Sequence, residues 1–150
     1  MKIARILVPT DFSDHSHEAL KYAIELARDH QSEVVLLHVV EPLPYGAASW
    51  NEPTKLLEHY TETASAELKR FEEEAIRLYP KCRSELHFGA VHEVVGELVN
   101  KMNIDLIVMS MRGQNQLLDL LIGSVAEKIL RHAPCPVLRI RTVANQKPQN

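Results

Sequence analysis

Short apolar runs alternate with amphipathic stretches along this chain. Ile3 to Val8 is apolar except for Arg5 and reads as a buried strand. Pro9 ends it, and Asp11, Ser13 and Asp14 bring the loop and helix-cap chemistry that should follow. Leu20, Ala23, Ile24 and Ala27 mark one face of a first helix. Val34 to Val40 is a β-branched and leucine run holding a single histidine, and it predicts a second strand. Its unbroken apolar character suits a parallel strand covered on both faces. Residues 41–53, with Pro42, Pro44, Gly46 and Pro53, read as a loop. Leu57, Tyr60, Ala64, Leu68, Phe71, Ala75 and Leu78 recur at steps of three or four. They predict one long amphipathic helix of about six or seven turns, stopped by Pro80. A third strand is expected at Cys82–Phe88, a third helix at Val91–Met102 and a fourth strand at Asp105–Met109. A fourth helix from Ser124 to about His132 and a fifth strand from Pro134 to Ile140 complete the pattern, and residues 142–150 read as a polar, frayed tail.

The predicted order is βαβαβαβαβ. With right-handed crossovers it describes a doubly wound parallel sheet, a Rossmann-like α/β fold with helices on both faces. At 150 residues, with no internal repeat and no linker, the chain reads as one domain over residues 1–141 followed by the tail. If strands two and three add on one side of strand one, and four and five on the other, the strand order reverses between one and four. Ligands of such sheets bind beyond the carboxyl ends of the strands at that reversal.

Composition narrows the function classes. The net charge of −3, with no basic tract, argues against a nucleic-acid binder. There is no signal-peptide pattern and no apolar run of membrane-spanning length. Cys82 and Cys135 fit neither CxxC nor zinc spacing. The expected setting is the cytoplasm, away from membranes. His15 and His17 are two apart and point to different sides of a helix, and His87 and His92 fall in different elements, so the histidines predict no metal centre. His38, inside an apolar strand, reads as a satisfied core residue, and Cys135 between two prolines as packing.

The candidate chemistry lies at the strand ends. Two of the five glycines, Gly113 and Gly123, stand with nine residues between them, between the fourth strand and the fourth helix. A strand, a glycine-bearing loop and a helix start is an arrangement that holds phosphate on backbone N–H groups. Gly113, Gly123 and the Ser124 hydroxyl could bind phosphates there, and Ser124 is expected to cap the helix. The Pro9-Thr10-Asp11 segment and the loop from Met109 to Gly113 should converge on one crevice. Asp11 could accept hydrogen bonds from ribose hydroxyls or help hold a metal. Val39 and Val40, ending strand two, could offer backbone groups to a flat base. Catalysis finds little support: no Gly-x4-Gly-Lys-Ser/Thr, no kinase catalytic loop and no nucleophile–base pair are present. Arg112 is the only cation near the loop, and no Lys or Arg is evidently placed on a γ-phosphate.

Several segments together resemble the universal stress protein family. They are Ile6-Leu7-Val8-Pro9-Thr10-Asp11-Phe12-Ser13, Leu37-His38-Val39-Val40, Asp105-Leu106-Ile107-Val108-Met109, Gly123-Ser124-Val125-Ala126-Glu127-Lys128 and Arg131-His132-Ala133-Pro134-Cys135-Pro136-Val137-Leu138. The resemblance runs over about residues 2–141. Its nucleotide-binding branch carries Gly-x2-Gly-x9-Gly-Ser/Thr, which here reads Ser110-x2-Gly113-x9-Gly123-Ser124, with the first glycine replaced. The resemblance implies strand order 3-2-1-4-5 and homodimers joined along the last strand, residues 136–140. It implies ATP or a related adenine nucleotide as ligand, with Mg carried by the phosphates and no protein cage. Asp11 would face the ribose, the Val39 backbone adenine, and Gly113, Gly123 and Ser124 the phosphates. Pro9, Thr10, Met109, Ser110, Arg112 and Val125 would complete the site. Glycine at position 110 could be demanded by a positive φ, which costs another residue roughly 1–2 kcal/mol, or by contact too close for a Cβ. The implied role is a regulatory stress-response module with an unnamed protein partner. Two alternatives stand beside it: a nucleotide-free protein acting through dimerisation and protein contacts, and a slow ATPase or self-phosphorylating enzyme.

Overall fold

Five parallel strands form one sheet in the order β3-β2-β1-β4-β5, as the resemblance implies. They are β1 (Arg5–Pro9), β2 (Glu33–Val40), β3 (Cys82–Phe88), β4 (Leu106–Ser110) and β5 (Val137–Ile140). Between them run α1 (Asp14–His30), α2 (Pro53–Leu78), α3 (Val91–Met102) and α4 (Ser124–His132). This computed structural model describes residues 1–42, 53–111 and 123–141. Residues 43–52 of the loop predicted at 41–53, residues 112–122 with Arg112 and Gly113, and the tail at 142–150 lie outside the described residues.

Alternating side chains along each strand build a core on both faces of the sheet. On one face Ile6, Val8, Val34, Leu36, Val108 and Ile140 meet Leu20, Ala23, Ile24 and Ala27 of α1 and Leu68, Phe71 and Ala75 of α2. On the other, Leu7, Val35, Leu37, Val39, Ile107 and Met109 meet Val94, Val95, Leu98 and Val99 of α3 and Ala126 and Ile129 of α4. This double cover is why β1, β2 and β4 read as apolar runs without a polar face. At the amino end of the sheet, the Ala4 and Arg5 amides donate to Asp105 Oδ2 at 2.7 and 3.0 Å. That carboxylate ties β1 to β4 where their pairing begins.

Boundaries depart from expectation where proline or capping decides them. Pro53 belongs to α2 as its first residue and not to the preceding loop, because a first-turn proline lacks only an N–H that would have no helical partner. The ends of the α2 stripe are exposed: Leu57 by 40%, Tyr60 by 50% and Leu78 by 45%, while Ala64, Leu68, Phe71 and Ala75 are buried. β5 begins at Val137 and not at Pro134, since Pro134 and Pro136 have no N–H to give a ladder. β1 and β4 each start later and end one residue further on than the apolar runs suggest. No helix among the described residues is long and apolar enough to cross a membrane.

Candidate functional site

The reversal of strand order lies between β1 and β4, and the carboxyl ends of β1, β2 and β4 lie side by side there. Pro9 pairs with Leu37, and the Thr10 amide donates to the Leu37 carbonyl at 2.8 Å. Ile6 pairs with Leu106 and Leu7 with Ile107. Carried forward, that register sets Pro9 and Thr10 beside Met109 and Ser110. The structure therefore brings together Pro9, Thr10, Asp11, Val39, Met109 and Ser110. The side chains of Val39 and Met109 are buried in the layer beneath α3 and α4. Met109 lies in register with Arg139 and turns its backbone to β5, whereas Val39, two residues beyond Leu37, turns its backbone towards the β1 side.

Asp11 is held by its neighbours. Its Oδ1 accepts from the Ser13 amide at 3.0 Å, the Ser13 hydroxyl at 2.5 Å and the buried Ser16 hydroxyl at 2.6 Å. Ser13 is also the cap of α1, its Oγ accepting from the Ser16 amide at 3.3 Å. One carboxylate thus joins the end of β1 to the start of α1. The serine two residues after the aspartate is the sequence signal for this turn. Ser16 has no comparable signal, because its role depends on the first turn of α1 folding back over Asp11.

Phe12 and His38 complete the loop, and neither was among the expected site residues. Phe12 has a φ of +65°. Its ring stacks on His38, with centroids 4.4 Å apart and planes at 29°. His38 Nδ1 lies 2.8 Å from the Thr10 carbonyl. His38 is satisfied as expected, yet half-buried.

Two expectations need correction. Ser110 is the last residue of β4 and lies outside the left-handed region, which among described non-glycine residues holds Phe12, Gln31 and Asn103. Left-handed strain is therefore no reason for glycine at this position. Ser124 is not the cap of α4. Gly123 is, with φ −60° and ψ 149°, its carbonyl accepting from the Glu127 amide at 2.9 Å. Glycine is itself an accepted cap residue, and here the backbone turns one residue earlier. Ser124 and Val125 are exposed in the first turn. They open the helix whose Ala126 and Ile129 share a core layer with Val39 and Met109.

Comparison with known proteins agrees with this architecture. The family model described as "Universal stress protein family" matches residues 2–141. A universal stress protein of Methanocaldococcus jannaschii is 35% identical over 141 residues, covering 91% of this chain and 81% of the relative. The structure of the universal stress protein UspA from Lactobacillus plantarum superposes with a TM-score of 0.82 at 26% identity, over 94% of this chain and 99% of that one. A universal stress protein from Archaeoglobus fulgidus, solved in complex with dAMP, superposes with a TM-score of 0.64 at 22% identity, over 93% and 98% of the two chains. The chain belongs to the universal stress protein family.

Proposed function

We propose that this universal stress protein family member binds ATP or a related adenine nucleotide at the carboxyl ends of β1, β2 and β4. It works there as a homodimeric regulatory module of the cytoplasmic stress response. The observation that carries the reading is Asp11, a carboxylate anchored by three donors at the point where the strand order reverses. Ligands of doubly wound sheets sit at that point. The dAMP bound by the Archaeoglobus fulgidus relative supports an adenine nucleotide as the ligand class.

In this reading Asp11 accepts from ribose hydroxyls, and the Val39 backbone meets the base edge. Backbone N–H groups at Gly113 and Gly123, with Ser124, take the phosphates, and Mg rides on the phosphates. Pro9, Thr10, Met109, Ser110, Arg112 and Val125 wall the site. The residues fit such a ligand in two respects. Gly123 opens α4 in extended backbone, and the first-turn amides that follow it have no acceptor within the helix and suit an anion. Val39 buries its side chain and leaves the end of β2 to present backbone.

Two measurements test the site. Protein purified fresh and then denatured should release adenine nucleotide. In calorimetry, Gly123→Val should weaken MgATP by about tenfold or more, the range of one or two lost backbone contacts. Valine tolerates the backbone angles found at Gly123, so the fold should survive. Unchanged affinity in Gly123→Val and in Asp11→Asn, with intact circular dichroism, would remove the site assignment.

A further inference from the structure

A bulky side chain in the left-handed region is a true outlier, and strain of this kind persists only where the surroundings impose it. Phe12, at φ +65°, stands between Asp11 and the cap residue Ser13. Glycine would make the same turn without strain. What imposes the conformation is visible. The Phe12 ring stacks on His38 at 4.4 Å and meets Phe71 of α2 edge-on at 6.3 Å. Its amide donates to Thr10 Oγ1 at 3.0 Å. A carbonyl can only accept, so His38 Nδ1 carries a proton and donates to the Thr10 carbonyl. One histidine therefore clasps residues 10 and 12, the two neighbours of Asp11. The residue after that histidine is Val39.

We infer that Phe12 and His38 are positioning residues of the nucleotide site, holding the Asp11 carboxylate in step with the Val39 backbone so that ribose and base are gripped together. The inference rests on the nucleotide reading given above. Its consequence is chemical. Recognition of the ribose hydroxyls depends on the clasp, whereas affinity for the phosphates and base depends on it far less. A pair that served stability alone would lower affinity for every nucleotide in parallel.

The experiment compares MgATP with Mg-2′,3′-dideoxyATP by calorimetry on the full chain. Wild type should prefer ATP by about tenfold or more, as expected for hydroxyls bonded to a carboxylate. In Phe12→Gly and in His38→Ala the preference should fall below about threefold, with affinity for the dideoxy analogue changing less than the affinity for ATP. Phe12→Tyr keeps the stack and should keep the preference. Should Phe12→Gly lose its fold by circular dichroism, His38→Asn decides. Its amide can still donate to the Thr10 carbonyl but has no ring to stack, and the preference should again fall. Full preference in the variants, or a parallel loss for both nucleotides, overturns the inference. Wild type that binds both nucleotides equally overturns it while leaving nucleotide binding in place. Wild type that binds neither overturns it together with the functional reading.

Discussion

Ser110 ends β4 opposite Ile140 of β5, in extended backbone. With left-handed strain removed as a cause, a glycine at this position could gain only the space of one Cβ and lose a hydroxyl. Ser110→Gly should therefore tighten MgATP by less than about fivefold, which is under roughly 1 kcal/mol. Ser110→Val adds bulk where a ligand would approach the strand end and should weaken it by about tenfold or more. Calorimetry on both variants decides; a glycine variant that binds less well would make the hydroxyl a direct contact. Other single residues differ in how plainly the sequence announces them. Asp11 and Ser13 are legible because short polar side chains after a strand close turns onto their own backbone. Phe12 is not, because a phenylalanine carries no sign of positive φ and its clasp comes from β2. The cap of α4 is off by one because glycine and serine both cap helices, so residue type cannot choose between Gly123 and Ser124.

At the scale of elements, α3 and β3 have the bounds the apolar pattern predicts. β5 and α2 shift where Pro136 and Pro53 set the limit. Less legible is how firmly α2 closes over β3. Cys82 opens β3 in the same core as Phe71 and Ala75 of α2. Burial, followed by the charge of nearby Glu72, pushes its thiol from 9.0 up to about 11. The folded state thus keeps the proton at pH values where the unfolded chain has lost it. Stability from this site is complete below about pH 9 and is lost as pH rises towards 11. The gap between those values is worth roughly 2–3 kcal/mol at most. Urea titrations from pH 8 to 11 should show Cys82→Ala losing less stability over that interval than wild type, after allowance for a constant offset from the lost sulfur. Parallel curves would mean that the thiol is not held neutral by the packing of α2 on β3.

At the scale of the whole molecule, strand–helix alternation made the doubly wound sheet legible, since five apolar runs joined by four helical stretches leave few other foldings. Links across the sheet were not. Glu33 of β2 accepts from Arg5 of β1 at 2.9 Å and from Arg83 of β3 at 2.6 Å, and Arg83 also donates to Glu85. That ladder exists only once three strands lie in register. Register likewise decides how the proposed homodimer should be tested. β5 is an outer strand of the sheet, with Leu138 exposed by 39%. An open apolar edge invites pairing, and an isologous antiparallel pairing of two copies of β5 would cover it. The Pro136 carbonyl accepts from the Ile107 amide at 3.0 Å and the Ile140 carbonyl from the Met111 amide at 3.2 Å. Backbone groups alternate sides along a strand, so residues 136, 138 and 140 face β4, while Val137 and Arg139 turn theirs outward. Leu138→Pro would then remove a donor from the sheet itself and should lower the melting temperature. Arg139→Pro removes an outward donor, the position at which an outer strand tolerates proline. It should yield monomer with unchanged circular dichroism. In sedimentation equilibrium at tens of micromolar, a concentration on the order of what standard interfaces survive, wild type should be a dimer and Arg139→Pro a monomer. A wild-type monomer under those conditions would rule out pairing along β5. A dimer that survives Arg139→Pro would place the interface on another surface, with the exposed Leu57 and Tyr60 of α2 the next to mutate.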